Sequence, residues 1–142
     1  SYLFHAVLYN QVNIVKLLLN KGIEYSTTAF RTAYERNKTD KKIIDLLEKH
    51  FNKSYEKFTK ENPDDHVRIA METNDFNELK KAVENGGDVN TGFGSNISNA
   101  IYKKNEPMTL YLILHGCKID KYVLDAVKNH GTPLLKQIFN YY

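Results

Sequence analysis

The sequence predicts an all-α solenoid of five helix–turn–helix repeats, and three observations carry that prediction. Ala6, Ala33, Ala70, Ala100 and Ala126 recur at spacings of 27, 37, 30 and 26 residues, inside the period range of stacked repeat proteins. Three places before them stand Leu3, Phe30, Val67, Ile97 and Val123, every one apolar. Beyond each alanine, a turn residue separates the first apolar helical face from a second.

The first repeat, residues 1–27, shows the pattern most fully. Leu3, Ala6 and Val7 form one helical face, while Ile14, Val15, Leu18 and Leu19 form another. Asn10 between them suits the left-handed conformation that ends a helix, and Gly22 ends the second helix likewise. The later repeats are expected at 28–50, 64–94, 95–120 and 121–142. Ser1, Thr28, Asp65 and Ser95 lie five before their alanines and are the expected N-caps, with Lys121 breaking the rule. Asn10, Asn37 and Asn74 occupy the turns, and Pro107 and Pro133 stand where a second helix starts and a missing N–H costs nothing. Leu18, Leu47, Ala82, Leu112 and Ile138 are expected at one equivalent core position, and the alanines where two helices cross closely.

Residues 51–63 interrupt the series. Ile43, Leu47, Phe51, Tyr55 and Phe58 keep helical spacing, which predicts an extended helix to about Lys60 before Asn62-Pro63 stops it. Its aromatic residues are read as either packing or a surface for a partner.

Taken together, the repeats resemble the ankyrin family. Asn13 to Gly22 resembles the second-helix half of that motif, and Asn85-Gly86-Gly87-Asp88-Val89-Asn90 its end. Leu114 to Asp120 is a looser copy, and no repeat keeps the family's Thr-Pro-Leu-His tetrapeptide. Only five residues separate Gly22 from Thr28 and four separate Gly116 from Lys121, so the β-hairpin fingers are expected to be short or absent. The loop from Val89 to Gly94 is the one expected to project furthest. Such divergent repeats resemble those of intracellular-bacterial effectors and large DNA viruses.

Composition narrows the function classes. The net charge is +3, from 17 Lys and 3 Arg against 17 acidic residues, and 15 Asn, 10 Ile and 10 Tyr accompany them. Arginine, the residue of phosphate forks and base edges, is scarce, so nucleic-acid binding is not expected. No apolar run reaches the roughly 18 residues of a membrane span. A single cysteine, Cys117, excludes a disulfide framework and fits a reducing, intracellular compartment, the host cytosol for a secreted effector. The chain begins with Ser1 rather than Met, which is expected of a part of a larger protein.

No catalytic constellation emerges, and neither an enzyme, a cofactor, a metal nor a small-molecule substrate is expected. Cys117 stands where the ankyrin pattern has alanine, so it is read as a small buried thiol rather than a nucleophile paired with His115. His5, His50, His66 and His130 are scattered without metal-ligand spacing. Gly92-x-Gly94 lacks the strand–turn–helix frame of phosphate binding.

What the resemblance implies is protein–protein recognition by the concave face of first helices. Residues two and three after each alanine are the expected contacts: Leu8, Tyr9, Glu35, Arg36, Glu72, Thr73, Tyr102, Lys103, Lys128 and Asn129. Phe93 joins them from the longest loop, and His5, Thr32, Ile69, Asn99 and Asp125 are expected to lean the same way. Tyr9, Arg36 and Tyr102 are the types enriched at hot spots. The alternative is an accessory arm of an enzyme whose catalytic part lies elsewhere.

Overall fold

The computed structural model describes residues 1–92 and 94–140, and every regular element among them is helical. They are α1 (Tyr2–Leu8), α2 (Val12–Asn20), α3 (Thr27–Glu35), α4 (Lys41–Phe51), α5 (Tyr55–Glu61), α6 (Pro63–Glu72), α7 (Phe76–Glu84), α8 (Asn96–Tyr102), α9 (Glu106–Leu114), α10 (Lys121–His130) and α11 (Pro133–Ile138). Five hairpins pack on themselves: α1 with α2, α3 with α4, α6 with α7, α8 with α9 and α10 with α11. Their first helices then meet in chain order, α1 to α3 to α6 to α8 to α10, while α2 meets α4 and α7 meets α9 in a second layer.

Burial follows the alanine frame. All five alanines are at most 2% exposed, and Leu3, Phe30, Val67, Ile97 and Val123 are fully buried. The core position on the second helices is shifted from the expected one at both ends of the chain. Leu47, Ala82 and Leu112 are buried, but Leu19 rather than Leu18 takes that place in α2. In α11 the place falls to Leu135, because Ile138 is the last residue of a short helix and stays 46% exposed.

Helix starts are fixed by side-chain caps, though not always at the expected residue. Ser1 and Ser95 cap α1 and α8 as expected. Ser26, not Thr28, caps α3, and Asp120 caps α10 by accepting from Tyr122 and Val123. At α6, Pro63 opens the helix and Asp64 and Asp65 sit in its first turn, where carboxylates favour the N-terminal dipole. Asn10 and Asn74 are left-handed, with φ of 57° and 54°, and Lys104 takes the same conformation in the fourth repeat. Asn37 does not, because α3 ends with Arg36 in extended backbone.

No strand occurs among the described residues, and polar side chains tie successive turns and loops instead. Asn10 Oδ1 accepts from the Asp40 amide at 2.7 Å, and Asn74 Oδ1 accepts from the Asn105 amide group at 2.8 Å. Among the loops, Asp64 accepts from Asp88 N–H and Asn90 from Lys118 N–H, both at 2.9 Å. The loop after Val89 is pinned rather than free: Asn96 Nδ2 donates to Val89 O and Thr91 O, and Val89 is buried. At its root, Gly87 admits no side chain, since a Cβ would lie 2.8 Å from the carbonyl oxygens of both Pro63 and Ala82.

The extended helix over 51–63 does not form. Asn52 is left-handed, at φ 49° and ψ 51°, and its amide closes α4 on Glu48 O and Lys49 O. Ser54 then caps a separate helix, α5. The break re-aims the aromatic run into the core. Phe58 is fully buried and stacks on Phe30 at 5.4 Å, while Tyr55 meets Tyr34 edge-on at 4.8 Å. Phe51 packs on Phe30 and Tyr25, so these rings are packing and not a partner surface.

Helix α5 packs on α6 and is tied to α7 by polar contacts. Asn85 Nδ2 donates to Lys60 O, Lys53 pairs with Glu61, and Tyr55 Oη donates to Glu78 of α7 at 2.7 Å. The same Glu78 oxygen meets His66 Nε2 at 3.2 Å, and the other takes Lys81 at 2.9 Å. Burial alone would raise the Glu78 pKa, but the bonds from Tyr55, Lys81 and His66 overcome it and hold the carboxyl down at about 2.

Two stability predictions follow from this segment. A continuous helix would gain from Asn52→Ala, whereas the left-handed cap predicts a loss of about 1 kcal/mol, with Asn52→Gly near neutral, in urea unfolding. Because the Glu78 pKa is depressed, its contribution is complete above about pH 5 and is lost as pH falls towards 2. Wild type minus Glu78→Gln should therefore show a stability difference on the order of 2 kcal/mol that shrinks across that window.

Candidate partner-binding surface

The positions two and three after each alanine fall at the C-terminal ends of the first helices, and their environments differ. In the first repeat, Tyr9 is 67% exposed and stacks on His5, while Leu8 is half-buried. Leu8 and Tyr9 share a shallow cavity of about 220 Å³ with Arg36 and Thr39 of the next repeat. Arg36 lies just past α3 and is exposed.

A second cavity, about 230 Å³, lies where α3, α6 and α8 meet, lined by Glu35, Arg68, Met71, Glu72 and Asn99 among others. Glu35 is half-buried. Desolvation raises its pKa, the nearby Arg31 and Arg68 oppose that, and Glu72 adds to it. Arg31 bridges two repeats, reaching Asp65 at 3.0 Å and Glu35 at 3.7 Å. Gly92 lies against Arg68, where a Cβ would come within 3.6 Å of Cγ.

Several expected contacts already have internal work. The Thr73 hydroxyl donates back to Ile69 O at 2.7 Å. Lys103 Nζ donates to Met71 O at 2.9 Å and to Glu72 O at 3.4 Å, placing its charge at the C-terminus of α6. Tyr102 is 56% exposed and leans on the His130 ring at 4.7 Å. Glu72, Lys128 and Asn129 are exposed, and Phe93 lies outside the described residues.

Of the residues immediately before the alanines, two are buried instead of leaning to the surface as expected. Thr32 and Ile69 are 2% and 3% exposed, and Ile69 packs into the N-terminal core. Asn99 is half-buried, and His5 and Asp125 are exposed. Asp65 is read from the sequence only as a helix N-cap, and Arg31 and Arg68 are missed. Their signal was the scarcity of arginine itself: all three arginines fall on α3, just after it, or on α6.

The reactive residue types are otherwise engaged. The Cys117 thiol is buried, which pushes its pKa up, and it lies 3.8 Å from Val89 O. His115 bonds Tyr111 O through Nδ1 and stacks on that ring at 3.9 Å. Among the described residues no three His, Cys, Asp or Glu side chains converge as metal ligands, and no helix is long and apolar enough to cross a membrane. Comparison with protein-family models, curated proteins and solved structures finds no match.

Lys103 and Lys128 separate support from availability. Lys103→Met should lower unfolding free energy by about 0.5–1 kcal/mol through the lost helix-end contacts. Lys128→Met should stay within about 0.5 kcal/mol of wild type, as both are read by chemical denaturation.

Proposed function

We propose that this chain is a protein–protein recognition module of divergent ankyrin-like repeats, working inside a larger intracellular protein. The observation that carries the reading is the unbroken row of first helices, α1, α3, α6, α8 and α10, each anchored by a buried alanine. A row of this kind offers equivalent positions at regular intervals, which suits a surface that reads a partner over several repeats. Tyr9, Arg36 and Tyr102 are its exposed anchors: two aromatic side chains and a guanidinium. The partner face is the concave one, and the short loops leave recognition to the helix ends rather than to fingers. Arg31 is committed to carboxylates within the chain, which argues for a protein partner over a nucleic acid.

The test is the triple variant Tyr9→Ala, Arg36→Ala, Tyr102→Ala. Partner proteins captured by the wild-type chain from cell lysate are identified by mass spectrometry, then measured against both forms. Loss of three anchors should weaken binding by about 100-fold or more, with the melting temperature unchanged within a few degrees. Equal affinity of the two forms would remove the first-helix face as the binding surface.

A further inference from the structure

The second layer carries a groove that the recognition surface above does not use. It runs between α2 and α4, has a volume of about 440 Å³, and is floored by Leu19 and Leu46. Its rim is Lys16 and Asn20 from α2, with Lys49 and His50 from α4. Leu19 is buried and Leu46 partly so, while Lys16, Lys49 and His50 are exposed. No acidic side chain lines this groove. Ion pairs elsewhere in the chain engage Arg31, Lys53 and Lys81, whereas Lys16 and Lys49 enter none.

A contrast in the same layer sharpens the point. The groove between α5 and α7 also has lysines, Lys60 and Lys81, but Glu56 and Glu78 line it beside them, and Lys81 pairs with Glu78. Between α2 and α4 the charges are unmatched and the floor is apolar. Helix-end electrostatics accounts for Lys49 and His50, which lie in the last turn of α4. It does not account for Lys16, in the middle of α2.

The occupant follows from charge and floor together. A phosphate or nucleic-acid backbone would cover the leucines without gaining from them, and the rim has no arginine fork for it. We propose that the groove takes an acidic segment of a partner protein, in which one bulky apolar side chain is flanked by carboxylates. The apolar side chain lies on Leu19 and Leu46, the carboxylates face Lys16 and Lys49, and the Asn20 amide serves the segment's backbone. The site shares no residue with Tyr9, Arg36 or Tyr102, so it does not rest on the first-helix reading.

The experiment is an NMR titration of the ¹⁵N-labelled full chain with three acetylated, amidated pentapeptides. The probe is Glu-Glu-Phe-Glu-Glu, and the controls are Glu-Glu-Gly-Glu-Glu and Lys-Lys-Phe-Lys-Lys. The probe should shift the amides of Lys16, Leu19, Asn20, Leu46 and Lys49 with a Kd of about 1–10 mM, the range that two screened ion pairs and one apolar side chain support. The controls should bind at least about fivefold more weakly. Lys16→Glu with Lys49→Glu should reverse the preference, so that the lysine peptide binds the variant better than the probe does. Lys16→Gln with Lys49→Gln, which adds no like charge to the fold, should weaken the probe about fivefold while leaving lysine-peptide binding weak. The proposal is overturned if the probe shifts no groove amide, if the glycine peptide binds equally well, or if both double variants keep the wild-type preference. The triple variant at Tyr9, Arg36 and Tyr102 should bind the probe like wild type, which keeps the two surfaces distinguishable.

Discussion

On α6, Ile69 belongs to the N-terminal core with Leu3, Phe30 and Phe58, while Val67, Ala70 and Met71 belong to the C-terminal core with Ile97 and Leu112. Two sets of buried side chains therefore share one helix, and the packing on either side constrains the other. Interiors are close-packed, so a shift of α6 towards one core opens a void in the other. Polar contacts tie the same helix to its neighbours: Asp65 holds Arg31 of α3, His66 meets Glu78 of α7, and Lys103 of α8 reaches the carbonyls at its end. The row of first helices remains continuous across the irregular middle of the chain because α6 is fixed in this way.

That irregular middle is α5. In the second layer α2 meets α4 and α7 meets α9, and α5 bridges the gap between α4 and α7. A single continuous helix would carry Phe58 along the axis of α4, away from Phe30. The left-handed Asn52 and the Ser54 cap turn the chain so that Phe58 stacks on Phe30 instead. Tyr55 then brings its hydroxyl to Glu78, and the carboxylate's three partners offset the cost of its burial. The 37-residue spacing between Ala33 and Ala70 is thus extra packing material for the core that α6 shares.

Sequence reasoning reached the elements whose cause is local. A buried alanine with an apolar residue three places earlier, a left-handed Asn10 and a proline at the start of α9 each depend on a few neighbouring residues. It failed where two local solutions compete. Ser26 and Thr28 can each cap a helix, and periodicity through Phe51, Tyr55 and Phe58 fits one helix or two. Tertiary packing decided the second, since the broken helix buries Phe58 against Phe30. The surface was less legible still. Spacing locates Thr32 and Tyr102 equally well relative to their alanines, yet only tertiary packing distinguishes the buried threonine from the exposed tyrosine.

The two kinds of cation show how the surface is divided. Arginine's planar fork loses less freedom per bond than lysine's flexible stem, so it suits positions where a charge is half-buried between repeats. Arg31, at 15% side-chain exposure between Glu35 and Asp65, is such a position, and Arg68 beside Glu35 lies in the same region. Lysines act as support where their ammonium reaches helix-end carbonyls, as Lys103 and Lys104 do. Lys16 and Lys49 do neither, since no carboxylate or carbonyl of the described residues holds them. Surface lysines with water around them need no explanation, but lysines that line one groove with two leucines leave part of an apolar floor open beside unpaired charge. An uncharged ligand would satisfy only the floor and a simple anion only the rim, so the arrangement favours a group that brings both.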